Sequence, residues 1–120
     1  MSEKFMIVVT HSTDNQDRAN GAFALAYSLL ESDGADVALF FIFEGAMAAK
    51  KKVAESIEGR NLTPVRELLP ALLEKKVPMY VCQACVKTYE IDKADLIEGV
   101  RITGIPTLSE EMQGRKTITF

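Results

Sequence analysis

The chain has 120 residues, 48% of them hydrophobic and 26% charged, with a net charge of −3 from 14 basic and 17 acidic side chains. That length suits a single domain over 1–120 whose core needs no disulfide staples, and the composition excludes disorder, which requires low hydrophobicity with high net charge. The slight acidic excess speaks against a direct nucleic-acid surface; the one basic cluster, Lys50-Lys51-Lys52, has no interleaved aromatics and reads as a solvated helix face.

The start, Met1-Ser2-Glu3-Lys4, has none of the marks of a secretory leader. Phe5 to Thr10 is an uninterrupted apolar, partly β-branched run, the pattern of a strand buried on both faces. His11 to Asn15 is polar and rich in capping residues, so Ser12, Thr13 and Asp14 read most simply as helix caps. Ala19, Ala22, Phe23, Ala26, Leu29 and Leu30 recur at helical spacing, predicting a helix over 14–31 that stops at Gly34. Asp36 to Phe43 reads as a second buried strand, closed by Glu44-Gly45; its apolar run is far too short to cross a bilayer.

Ala46 to Glu55 looks helical and Gly59-Arg60-Asn61 looks like a turn. Thr63-Pro64 predicts a helix start, with Thr63 as cap and Pro64 in the first turn. Val65, Leu68, Leu69, Leu72 and Leu73 make one apolar stripe; Pro70 inside it predicts a kink or a later start. Val77 to Val81 is a third strand, and Cys82 to Tyr89 a short helix at its end. Leu96 to Thr103 contains a fourth strand, Ile105 to Met112 is a helix begun by Pro106, and Arg115 to Phe120 alternates as a fifth strand. The alternation of strands and helices predicts an α/β three-layer sandwich of flavodoxin-like type: a mostly parallel five-stranded sheet with helices on both faces.

In such sheets functional groups gather beyond the carboxyl ends of the strands. That rule selects His11 to Asp14, Phe43 to Gly45 and Cys82 to Cys85. Cys82 ends a buried strand and precedes a helix, where backbone N–H groups favour a thiolate, the nucleophilic form. Cys85 lies one turn on, placed either to form a disulfide with Cys82 or to fill the core as a small apolar residue. His11, the sole histidine, either assists proton transfer at Cys82 or is a solvated loop residue. Glu44 either orients a ligand or partner or belongs to an ordinary turn. Two Cys and one His fall short of a four-ligand zinc site, and the glycine-free loop at 11–15 is neither a P-loop nor a dinucleotide fingerprint. No metal or cofactor is therefore expected. A cytosolic protein without a membrane partner is expected, and in that reducing compartment a CxxC is more often reactive than a structural staple.

Ile7-Val8-Val9-Thr10 with its polar loop and Ala/Phe-rich helix, Phe41-Ile42-Phe43-Glu44-Gly45-Ala46, Val77-Pro78-Met79-Tyr80-Val81-Cys82, and Gly104-Ile105-Pro106-Thr107-Leu108 with the closing strand occur in an order and spacing that resembles the DsrE/DsrF-like proteins. These include sulfur-relay subunits of tRNA thiolation and of dissimilatory sulfur oxidation. The resemblance covers essentially the whole chain. It implies a DsrE-like fold, a sulfur-transfer role with Cys82 as the persulfide-bearing cysteine, and sulfur-donor and sulfur-acceptor proteins as partners. It also implies assembly as a homo-oligomer, a trimer or hexamer; the candidate substrate contacts, from their place after the first two strands, are His11, Ser12 and Glu44. Cys85 departs from the relay subunit with a single site cysteine, which has a small apolar residue there; it would either resolve the persulfide, releasing sulfide, or pair with Cys82 as a disulfide. Two other functions compete: a CxxC dithiol oxidoreductase, although the Trp and Pro usual around thioredoxin cysteines are missing, and a non-catalytic assembly subunit.

Overall fold

The computed structural model describes residues 3–120; Met1 and Ser2, part of the start read above, lie outside the described residues. The strands are β1 (Lys4–Val9), β2 (Asp36–Phe41), β3 (Met79–Cys82), β4 (Arg101–Thr103) and β5 (Lys116–Thr119). The helices are α1 (Gln16–Asp33), α2 (Lys51–Ser56), α3 (Val65–Glu74), α4 (Gln83–Thr88) and α5 (Ile105–Met112). The sheet runs in the order β4-β3-β2-β1-β5 with every pairing parallel, so β3, β2 and β1 are the interior strands that the apolar runs require. Val37 to Phe41 are all buried.

Topology decides which face each helix covers. The chain steps from β1 to β2 to β3 to β4 always toward the same edge, and right-handed crossovers then put α1 to α4 on one face. Phe23 of α1 meets Phe41 there, with ring centroids 5.8 Å apart. Side chains alternate along a strand, so Phe40 points to the opposite face and meets Tyr80 at 6.5 Å. The return from β4 to β5 crosses that second face through α5; burial raises the Tyr80 phenol above its ordinary value, and the charge of Glu111 on α5 adds to the rise. Helices thus lie on both faces, but unequally. α5 buries none of its residues, and Ile105 at its start is 54% exposed.

Several boundaries differ from the expectation for physical reasons. α1 begins at Gln16 because the Asn15 side chain, rather than Ser12, Thr13 or Asp14, accepts the Arg18 N–H as its cap. Its end matches: Gly34 takes the left-handed conformation (φ 62°) and caps onto the Leu29 carbonyl. β2 stops at Phe41, and Phe43 opens a 3-10 helix through Ala49 with φ 57°. The helix read over 46–55 is therefore two pieces, broken at Lys50, whose extended backbone bridges to Leu96. Pro64 is the cap residue of α3 rather than part of its first turn, while the Thr63 carbonyl accepts from the Asn20 amide. Pro70 lies within α3, on its exposed side, and the helix runs through it from Val65.

Candidate active site

Three carboxyl-end segments converge, as the topology demands. Cys82 is the last residue of β3 and the cap residue of α4; Cys85 follows one turn later. The i, i+3 spacing puts both side chains on one side of the helix start. Both are free thiols and nearly enclosed, Cys82 5% and Cys85 8% exposed. The two thiols interact electrostatically.

The segment after β2 supplies the next group. The Phe43 N–H donates to Cys85 Sγ at 3.1 Å. It can do so because Phe43 adopts φ 57°, a conformation that costs an L-residue about 1–2 kcal/mol. The turn is held on both sides: Ile42 N–H donates to the Val9 carbonyl at 3.0 Å and Gly45 N–H to the Ile42 carbonyl at 2.9 Å. The Phe43 ring itself is 62% exposed beside the thiols.

Burial pushes the Cys85 thiol up from its ordinary value, and the neighbouring Cys82 pushes the same way; the Phe43 N–H pulls against them without prevailing. The sign for stability follows. Folding favours the neutral Cys85, a contribution present below the ordinary thiol range and lost as pH rises through the higher folded value.

The polar rim comes from the other two segments and from the end of α4. Tyr89 Oη donates to Glu44 Oε1 at 3.3 Å. Partial burial raises the Tyr89 phenol, and the negative charges of Glu44, Cys85 and Asp14 add to that rise. Asp14 receives the Ser12 N–H at 2.7 Å and pairs with His11 Nδ1 at 2.7 Å. Desolvation works to raise the Asp14 carboxyl, but the Ser12 N–H and His11 outweigh it and hold the group below the ordinary carboxylate value. His11 thus spends its Nδ1 on Asp14, not on a thiol. Ser12 is buried and Glu44 is exposed.

Among the sequence-selected residues, Cys82 and Cys85 sit together at the start of α4, Glu44 bonds to Tyr89 at the end of that helix, and His11 and Ser12 bond to Asp14 in the loop after β1. Asp14 and Phe43 fall in the selected segments but carry no sequence-based role at the thiols, and Tyr89 lies outside them. Tyr89 had a usable signal, since it lies four residues after Cys85, and its N–H bonds the Cys85 carbonyl at 2.9 Å. Among the described residues, no group of three or more His, Cys, Asp or Glu side chains is placed to hold a metal ion.

This arrangement can be set against known proteins. A model of the DsrE/DsrF-like family matches residues 3–120. The chain belongs to the DsrE/DsrF-like family. Its fold is that of the ychN protein from E. coli, with a TM-score of 0.80 and 22% identity over 98% of this chain and 99% of that one. It is also that of MTH1491, a protein of unknown function from Methanobacterium thermoautotrophicum, with a TM-score of 0.70 and 15% identity over 99% and 100% of the two chains. At those identities the likeness concerns fold alone. A curated relative, the uncharacterized protein MJ0760 of Methanocaldococcus jannaschii, is 27% identical over 105 residues, 88% of this chain. The match spans only 38% of that relative's length. Membership of this family suggests a function related to sulfur relay. No helix among the described residues is long and apolar enough to cross a membrane.

Proposed function

We propose that this DsrE-family chain is a cytosolic sulfur-transfer protein in which Cys82 accepts sulfane sulfur as a persulfide and passes it to the thiol of a partner protein. One observation carries the reading: Cys82 ends an interior strand, caps the following helix and has a second buried thiol one turn on. A cysteine kept only for packing would need none of this company. In the accepting step the Cys82 thiolate attacks a sulfane sulfur of the donor. A new S–S bond forms, the donor's S–S bond breaks, and the donor leaves as a thiolate with its electron pair. Glu44 and Tyr89, with His11 and Asp14 behind them, form the rim that an incoming partner meets.

The test is intact-protein mass spectrometry after exposure to inorganic polysulfide or a persulfidated protein donor. Wild type is expected to gain sulfur atoms that a reductant removes, and Cys82→Ser is expected to gain none. Uptake that survives in Cys82→Ser sinks the reading.

A second reading, a dithiol oxidoreductase working through Cys82–Cys85, draws on the two free buried thiols one turn apart on α4. It expects loss of two hydrogens, requiring both cysteines, with no sulfur taken up in any variant.

We also propose that the chain self-associates, as a trimer or hexamer, through α5. Ile105, Leu108 and Met112 recur at helical spacing and line an open surface, although the helix buries none of its residues. Ile105→Glu is expected to shift the protein to a smaller species in analytical ultracentrifugation; an unchanged distribution would remove α5 from the interface.

A further inference from the structure

The sulfur-carrier reading leaves Cys85 with more than it needs. A carrier protects its persulfide best when no second thiol stands beside it, yet here a second buried thiol stands one helical turn from the first. That thiol also receives a backbone N–H from Phe43 at 3.1 Å, and the donor is aimed by a left-handed conformation at a bulky residue. A cysteine that only fills space gains nothing from such a donor. A nucleophile does, because an N–H pointed at sulfur stabilises the anion that must form before attack. The two sulfurs are enclosed together at the first turn of α4, where the i, i+3 spacing suits a disulfide.

Resting on the carrier reading, we infer that Cys85 is a second nucleophile that discharges the persulfide of Cys82, so that the protein reduces sulfane sulfur to sulfide. The Cys85 thiolate attacks Cys82 Sγ, the inner sulfur of the persulfide. The Cys82–Cys85 S–S bond forms and the bond from Cys82 Sγ to the terminal sulfur breaks. The terminal sulfur leaves with the electron pair as hydrosulfide, keeping its own proton; the Cys85 proton goes to solvent. Cys85 and Cys82 are together oxidised by two electrons and one sulfane sulfur is reduced by two. A dithiol reductant then reopens the disulfide, supplying two electrons and two protons. In a reaction sequence the chain therefore stands between a step that generates sulfane sulfur and one that consumes sulfide. Phe43 is a positioning residue in this scheme, acting through its N–H.

The test is a single turnover with inorganic tetrasulfide, no other reductant present, on wild type, Cys85→Ser and Cys82→Ser. Sulfide is followed with time, and the products are weighed intact. Cys85→Ser fixes the sulfide that loading alone produces. It is expected to stay loaded with added sulfur at Cys82, while wild type ends two hydrogens lighter with none. Wild type is expected to release sulfide about tenfold faster or more, given the advantage of a thiol already in place. Wild type that keeps its added sulfur as Cys85→Ser does, with equal sulfide, overturns the inference and leaves the carrier reading standing. A disulfide in wild type with no sulfur taken up by Cys85→Ser overturns both readings in favour of plain dithiol redox chemistry.

Discussion

Gly45→Ala is expected to lower the midpoint of thermal unfolding by roughly 10 °C or more, following an overpacking cost of about 3 kcal/mol in a domain of this size. The cause is room, not backbone freedom. A Cβ built on Gly45 would lie 1.8 Å from the Val9 carbonyl oxygen and 2.5 Å from its carbon. Both are main-chain atoms of a central strand, so no side-chain rotation relieves the clash. The same Val9 carbonyl accepts the Ile42 N–H, and Gly45 N–H closes the turn onto Ile42. Relief would therefore require the segment after β2 to lift off the end of β1. That movement would carry Phe43 with it and withdraw its N–H from Cys85 Sγ. A second signature follows: in whatever fraction of Gly45→Ala stays folded, the reactivity of Cys85 toward an alkylating reagent should differ from wild type. A midpoint within a degree or two of wild type would mean that the close approach does not exist in solution.

That position also marks the limit of what local sequence conveys. The buried runs of β1 and β2 were legible because interior parallel strands demand continuous apolar residues, and Val37 to Phe41 supply them. Cys82 was legible as a site because strand ends before helices are where open α/β sheets place their chemistry. Phe43 was not. Its φ of 57° belongs to no residue-type preference and is imposed by the turn packed against Val9. The pair between Tyr89 and Glu44 joins residues 45 positions apart and exists only once β2 and β3 lie side by side. Nor could sequence separate Ser12 or Asp14 from Asn15 as the cap of α1, since all three have the chemistry and geometry alone selects Asn15. The amphipathic pattern of α5 predicted its limits, Ile105 to Met112, but an apolar stripe carries no label saying whether its own sheet or another molecule covers it.

Asn20→Ala is expected to destabilise the protein by about 2–4 kcal/mol, because two hydrogen bonds are lost and a buried donor is left alone. Asn20 is fully buried on α1. Its Oδ1 accepts the N–H of Gly59, itself buried, at 2.7 Å, and its Nδ2 donates to the Thr63 carbonyl at 2.9 Å. One amide therefore pins both sides of the loop that leads into α3, which no apolar side chain can do. None of its partners belongs to the thiol cluster, so sulfur uptake at Cys82 should persist wherever Asn20→Ala is folded; its loss there would tie this loop to the site. Asn20→Asp separates the two bonds. The carboxylate keeps an acceptor for Gly59 but offers the Thr63 carbonyl only repulsion, and burial raises its folded pKa. An acid whose pKa is raised on folding contributes stability that is present below its unfolded value and lost as pH rises through the folded one. The deficit of Asn20→Asp relative to wild type, read by denaturant unfolding at each pH, should therefore shrink as pH falls, whereas that of Asn20→Ala should stay constant. Parallel pH dependence in the two variants would show that the amide's donor makes no contribution.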